Sequence, residues 1–100
     1  MAYDPGALNA SLAAAVGSDA GLMAELRAAF VECAARQLDL MSRARCDANW
    51  ELAASRLKSV AASFGAVGLG ALADEALDGA PGDPVVLRKL AAAIHDFSDS

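Results

Sequence analysis

Alanine accounts for 26 of the 100 residues, and this abundance limits the fold more than any other feature of the sequence. Alanine is the best helix former, whereas the β-branched and aromatic residues that favour strands are sparse. The composition therefore predicts an all-α chain. Because alanine contributes little apolar area, the core must rest on the leucines and on four larger side chains, and the helices must pack closely. These four are Phe30, Trp50, Phe64 and Phe97.

Glycine, proline and capping residues divide the chain into a short leading helix and four longer helices. The connections between the longer helices are short, and short connections favour antiparallel neighbours. We therefore predict a single domain over residues 1–100, an antiparallel up-and-down four-helix bundle with a short leading N-terminal helix. The predicted helices begin at Asp4, at Ser18 or Asp19, at Asp47, near Ala66 and at Asp83, and they end at Gly17, near Ala44, at Gly65, at Asp78 and in the C-terminal tail.

The charge and the apolar pattern argue against several classes of protein. A formal net charge of -5 disfavours nucleic-acid binding, which requires a basic surface. No apolar run approaches the roughly 20 residues of a membrane-spanning helix. The N-terminus has Asp4 and lacks the basic segment that opens a secretory signal. We expect a cytoplasmic protein that binds neither nucleic acid nor a membrane.

Few residues could bind a metal or perform conventional catalysis. Cys33 and Cys46 have no CxxC spacing, and the one histidine, His95, lies far along the chain. This pattern indicates neither a zinc site nor a disulfide framework, so we expect buried or idle thiols and no cofactor. The sequence shows neither a nucleophile with an adjacent base nor a paired acid and base, so it does not indicate a hydrolase.

The third predicted helix has two faces of different composition. If Ala54, Leu57 and Ala61 face the core, residues three and four apart stack on another side. That side presents small and polar residues with one leucine, and on composition alone it could simply be the solvated side of an amphipathic helix. Its members are Leu52, Ser55, Lys58, Ser59 and Ala62.

The residues that follow Ser55 have a recognisable spacing. Leu57 lies two residues after Ser55, Lys58 lies three residues after it, and the tripeptide FGA occupies positions 64–66. This pattern resembles the signature of the histidine phosphotransfer (HPt) domain family of bacterial phosphorelays, approximately H-x-L-K-G-S-x-x-x-Φ-G-A with Φ apolar. The upstream segment AELRAAFVECAARQLDLMSRA resembles the preceding helix of that family. The resemblance covers roughly residues 20–80, and the family's helical bundle agrees with the fold predicted from periodicity.

The chain departs from the family pattern at two positions. Ser55 stands where the family has its phosphorylated histidine, and Ser59 stands where a glycine usually follows the lysine. An imidazole can accept and return a phosphoryl group near neutral pH, whereas a serine hydroxyl is a weak nucleophile without an adjacent base. Glu51 and Lys58, one turn away, are not obvious bases, and His95 lacks a lysine three residues on. The resemblance therefore implies an HPt-like protein that is not a phosphotransfer enzyme.

The resemblance also implies a docking surface. In the family, the lysine helps to stabilise the phosphoryl group, and the exposed face of this helix packs on the receiver domain of a response regulator. The segment from Arg36 to Lys58 has five basic and three acidic residues and so a net charge of +2, which would attract an acidic phosphoacceptor pocket. The side chain of Ser59 would weaken or redirect binding at a position of close approach. The matching partner-binding positions are Leu52, Ser55, Arg56, Lys58, Ser59 and Ala62.

Three interpretations stay open at the level of sequence. The first is an HPt-like protein without the phosphoacceptor histidine that binds a receiver or histidine-kinase domain and modulates two-component signalling. The second is a phosphotransfer domain inactivated by replacement of its histidine. The third is a helical interaction or oligomerisation domain outside signalling, in which Leu52 and other exposed apolar residues form a homodimer interface.

Overall fold

A computed structural model describes residues 19–98 together with Ala10 and Leu12. Residues 19–98 form four helices, and the first of them packs on both the second and the last. The prediction of an all-helical, up-and-down four-helix bundle is confirmed. The helices are α1 (Ala20–Ser42), α2 (Asp47–Ser63), α3 (Val67–Asp78) and α4 (Pro84–Ser98). The predicted leading helix lies outside the described residues except for Ala10 and Leu12, which are both helical, and Leu12 is buried.

The starts of α1 and α4 follow the capping pattern of the sequence. Asp19 is the N-cap of α1, and its carboxylate accepts a hydrogen bond of 3.0 Å from the backbone N–H of Leu22. Asp83 precedes Pro84, the first residue of α4, and its carboxylate accepts a bond of 2.9 Å from the N–H of Val85. Both predicted starts are confirmed, because each depends only on residues adjacent in the chain.

The predicted N-cap of α2 was wrong by one residue. Cys46, not Asp47, has the extended backbone of the cap, and its carbonyl accepts the first helical bond from the N–H of Trp50 at 3.2 Å. The side chain of Cys46 makes no capping bond. Asp47 is instead the first helical residue, where its negative charge favours the positive end of the helix dipole.

Three aromatic rings join helices across the core. Phe30 of α1 lies 5.1 Å from Phe64, just after α2, and 5.4 Å from Phe97 of α4, measured between ring centroids. Both separations lie in the range of favourable aromatic pairs. Trp50 of α2 is buried, and its indole N–H donates a 3.1 Å hydrogen bond to the carbonyl of Ala76 on α3. These contacts fix which side of α2 turns inward.

The turn from α2 to α3 is a Schellman motif. Gly65 has a φ of 71°, a left-handed conformation that glycine adopts without a Cβ penalty. The N–H of Ala66 donates to the carbonyl of Ala61 at 2.8 Å, and the N–H of Gly65 donates to the carbonyl of Ala62 at 3.3 Å. A Cβ on Gly70 would lie 3.8 Å from that of Ala61, so α3 approaches α2 closely. The prediction that α2 ends at Gly65 is confirmed, and the tight turn brings α3 beside the exposed side of α2.

The length and apolar character of the helices bear on whether one of them could cross a membrane. Among the residues that the structure describes, none of the helices combines the length and the apolar character needed to cross a bilayer.

Candidate functional site

All six predicted partner-binding residues lie exposed on one side of α2, and we call this side the α2 face. The opposite side of α2 is buried through Trp50, Ala54, Leu57 and Ala61. With 3.6 residues per turn, positions three and four apart fall on the same side, so the inward residues dictate the outward ones. Partner binding itself stays a prediction. The α2 face consists of Leu52, Ser55, Arg56, Lys58, Ser59 and Ala62.

The middle of the α2 face is small and polar around one apolar side chain. Leu52 is 50% exposed, so an apolar side chain lies in contact with solvent on this side of α2. The hydroxyl of Ser55 makes no hydrogen bond within the described residues, and the Ser59 carbonyl accepts a 2.9 Å bond from the Ser63 hydroxyl. The surface around Ser55 therefore offers an approaching protein little steric hindrance.

Lys58 forms the edge of the α2 face that adjoins α3. Its ammonium lies 2.7 Å from a carboxylate oxygen of Asp74, and both side chains are about half exposed. The hydrogen bond to Asp74 is the main cause of a raised pKa of Lys58, the negative charge of Asp74 adds to it, and Asp78 contributes less. Lys58 is therefore charged and already engaged by a carboxylate of its own chain.

Arg56 forms the opposite edge, beside the end of α1. It lines a groove of about 550 Å³ together with residues that connect α1 to α2. The guanidinium of Arg56 has neither an ion pair nor a hydrogen bond to any part of the chain that the structure describes. The two edges of the α2 face thus differ, because one cation has an internal partner and the other does not.

The geometry around Ser55 lacks the parts of a nucleophilic serine. A serine becomes a good nucleophile when a neighbouring base accepts its proton. Within the described residues no group is hydrogen-bonded to the hydroxyl of Ser55, and Lys58, which is protonated and bound to Asp74, cannot accept a proton. The arrangement suits contact with another molecule better than covalent chemistry at Ser55.

The remaining candidate residues are scattered. His95 is exposed in the last turn of α4, where its carbonyl accepts a 2.7 Å bond from the Ser98 hydroxyl. Cys33 is a half-buried free thiol on α1, and Cys46 is an exposed one before α2. In the described part of the chain, no three acidic, histidine or cysteine side chains are grouped as a metal site would require. The structure does not bring these residues to the α2 face.

Sequence reasoning missed Asp74 and the groove beside Arg56. Asp74 lies on α3, sixteen residues after Lys58, so no spacing rule for a single helix relates the two. One weak signal was available, because Asp74 interrupts the apolar run of α3 between Ala73 and Ala76 with a charge that must face outward.

Comparisons with protein-family models, with curated proteins and with solved structures found no match to this chain. The resemblance to HPt domains therefore rests on the residues between about 20 and 80 and on the helical fold, and the function that it implies is a proposal.

Proposed function

We propose that the protein is an HPt-like phosphorelay component that has lost the phosphoacceptor histidine and binds a receiver or histidine-kinase domain through the α2 face. The observation that carries the proposal is the position of Ser55, which has the family's spacing to Lys58 and to the FGA turn and lies exposed on α2. A module of this kind would act in the cytoplasm of a bacterium and modulate two-component signalling by occupying its partner.

The chemistry of Ser55 supports a binding role over phosphoryl transfer. Phosphorylation of a serine would give a stable phosphate ester, whereas a relay needs the labile phosphoramidate of histidine. The described residues provide no base that could accept the proton of the Ser55 hydroxyl. A protein with this face would compete for receivers or kinases without draining phosphoryl groups from them.

The contacts of Lys58 support the same conclusion. In an HPt domain the lysine would neutralise an incoming phosphoryl group, but here its ammonium lies 2.7 Å from the Asp74 carboxylate. A phosphoryl group would have to compete with that carboxylate for the lysine. We therefore expect the α2 face to distinguish poorly between phosphorylated and unphosphorylated receivers.

The test is a titration of the wild-type protein and of Ser55→His against a panel of phosphorylated receiver domains, with binding and phosphoryl transfer recorded together. We expect both proteins to bind at least one receiver and only Ser55→His to become phosphorylated. Ser63→His is the matched control, since it adds a histidine on the exposed side of α2 without a lysine three residues on. Acid-labile label on the wild-type protein would contradict the loss of phosphotransfer. Absence of binding by both proteins to the receivers, and to histidine-kinase domains titrated in the same way, would refute the docking role.

A second candidate is self-association, which the exposed apolar residues favour. Leu40 is 40% exposed at the end of α1 and Leu52 is 50% exposed on α2. Sedimentation or light scattering of the wild-type protein separates the candidates, because a homodimer that is disrupted by Leu52→Ser would favour an oligomerisation domain. A concentration-independent monomer would eliminate it.

A further inference from the structure

The groove beside Arg56 has a volume of about 550 Å³. It lies between the end of α1 and the first turns of α2. Only Leu52 and Arg56 among its principal residues belong to the α2 face, so the groove extends that face toward α1. The side chains that line the groove include Leu40, Arg43, Arg45, Asn49, Leu52 and Arg56.

The groove concentrates positive charge in an acidic protein. The chain has eight lysines and arginines and a net charge of -5, yet among the described residues three arginines and no carboxylate line this one groove. Arg43 is paired with Asp39, 3.1 Å away and one helical turn earlier on the exposed side of α1. The guanidiniums of Arg45 and Arg56 have no ion pair or hydrogen bond to the residues that the structure describes. Two unpaired guanidiniums that share a concave surface are suited to carboxylates, which they can bind with two parallel hydrogen bonds.

Apolar side chains lie at the same site. Leu40 and Leu52 are 40% and 50% exposed and belong to opposite helices that border the groove. A small inorganic anion would satisfy the arginines and leave both leucines in water. A protein segment with acidic and apolar side chains would cover both, and interfaces typically combine a buried apolar centre with arginine.

We propose that the groove binds an acidic segment of the partner's receiver domain, with carboxylates against Arg45 and Arg56 and an apolar side chain between Leu40 and Leu52. This inference rests on the proposed function and adds the region that selects among receivers. Selection follows from charge, because a receiver with a basic residue in that segment would meet two unpaired guanidiniums and be rejected. The α2 face would then supply the contact that receivers share, and the groove would supply the contact that distinguishes them.

The experiment compares four variants of the full chain against the same receiver panel by calorimetric titration. Arg45→Glu and Leu40→Ser alter the groove outside the α2 face, and Ser59→Trp places a bulky side chain in the middle of that face. Arg88→Glu is the matched control, since it reverses an exposed arginine on α4 that lies outside the groove. All four positions are exposed, and circular dichroism of each variant verifies that the helices remain.

We expect Ser59→Trp to abolish binding, Arg45→Glu to weaken the affinity about tenfold or more, and Leu40→Ser to weaken it several-fold. Arg88→Glu should bind like the wild type. The effect of Arg45→Glu should be largest for the receivers that the wild type prefers, so that the variant ranks the panel differently.

The outcomes separate the groove from the α2 face. If Ser59→Trp abolishes binding while Arg45→Glu and Leu40→Ser bind like the wild type, the groove is not used and only this inference fails. If the wild type binds no receiver, this inference fails, and the proposed function fails with it only if the protein also binds no histidine-kinase domain. Saturable binding of pyrophosphate that Arg45→Glu removes, with receiver affinity unchanged, would identify a site for small anions and overturn the inference.

Discussion

The two edges of the α2 face present cations in different electrostatic situations. On the α3 side, Lys58 is held at 2.7 Å by Asp74. On the α1 side, Arg56 and Arg45 share a groove that, in the part of the chain described by the structure, has no carboxylate in its lining. Both edges belong to the same helix and are exposed to the same solvent. They differ because α3 brings an acidic side chain to its edge and the end of α1 brings further arginines to the other.

This difference indicates which edge a partner can use. A charge that is already paired gains little from a new anion, because the partner must first displace the internal carboxylate. A guanidinium without an internal partner can bind a carboxylate directly. That contact is stronger when the interface excludes water than when it is exposed to solvent. We therefore expect the arginine edge to contribute more to partner binding than Lys58, although Lys58 is the residue that the family pattern singles out.

The largest expected effect is on stability and comes from replacing Trp50, whose burial holds the inner side of α2 in the core and so places both edges of the α2 face outward. Trp50→Ala should lower the free energy of unfolding by about 3–5 kcal/mol, because a fully buried indole is lost from the core. Chemical denaturation followed by circular dichroism measures this. Trp50→Phe keeps an aromatic ring but leaves the carbonyl of Ala76 without the indole N–H, and it should be destabilised less. Unchanged stability of Trp50→Ala would contradict the described packing of α2 on α3.

The next effect concerns the turn that brings α3 to the Lys58 edge. Gly65→Ala should cost about 1–2 kcal/mol, since alanine is strained at a φ of 71°. Gly82→Ala is the matched control for strain, because Gly82 has a φ of 82° in the loop between α3 and α4, where a Cβ has open space. Both variants should lose stability, but only Gly65→Ala should also disturb the Lys58 side-chain resonances. If both variants disturbed the Lys58 resonances equally, the turn at Gly65 would not be what determines the position of the Lys58 edge.

A smaller effect is expected on the rate of phosphoryl transfer to an introduced histidine. Asp74→Asn, added to Ser55→His, should accelerate transfer by about two- to fivefold, because it releases the ammonium of Lys58 for the phosphoryl group and the broken ion pair is an exposed one. The matched control is Glu75→Gln, which breaks the exposed pair with Lys89, 2.9 Å long, away from the α2 face. Equal rates for Ser55→His and for its combination with Asp74→Asn would mean that Asp74 does not compete for Lys58.

The smallest effect is on the titration of Lys58 itself. Asp74→Asn removes the carboxylate whose charge-assisted hydrogen bond and negative charge raise the pKa of Lys58, so this pKa should fall toward its usual value, as NMR of the lysine side chain can measure. Because the pKa of Lys58 is higher in the folded state than in the unfolded state, its contact with Asp74 stabilises the fold at pH values below the unfolded pKa. This contribution disappears as the pH rises through the folded pKa. The stability difference between wild type and Asp74→Asn should therefore vanish in strongly alkaline solution. Glu75→Gln should leave the pKa of Lys58 unchanged, and an equal fall in that variant would argue against Asp74 as the cause.

The course of the four helices could be read from the sequence because it depends on neighbours in the chain. Asp19, Gly65 and Asp83 act on backbone groups within a few residues, so their identities were enough to predict where helices start and end. The N-cap of α2 was predicted one residue late, at Asp47 and not at Cys46. The choice between these adjacent residues depends on the backbone conformation of the loop after α1, which side-chain preference does not determine. Periodicity also determined that Ser55 would be exposed, because Leu57 and Ala61 are apolar at helical spacing.

The electrostatic character of the candidate site was decided only by the tertiary structure. Lys58 and Asp74 belong to α2 and α3, and the arginine groove joins residues from the end of α1, the loop after it and the start of α2. The proximity of Lys58 and Asp74 follows from the packing of α3 on α2, through the Schellman turn, the Trp50 hydrogen bond and the close approach at Gly70. The sequence by itself determined the helices and which residues of α2 are exposed, because those are local properties of a 3.6-residue repeat. Which cations are paired and which are available depends on where the neighbouring helices lie, and that required the fold.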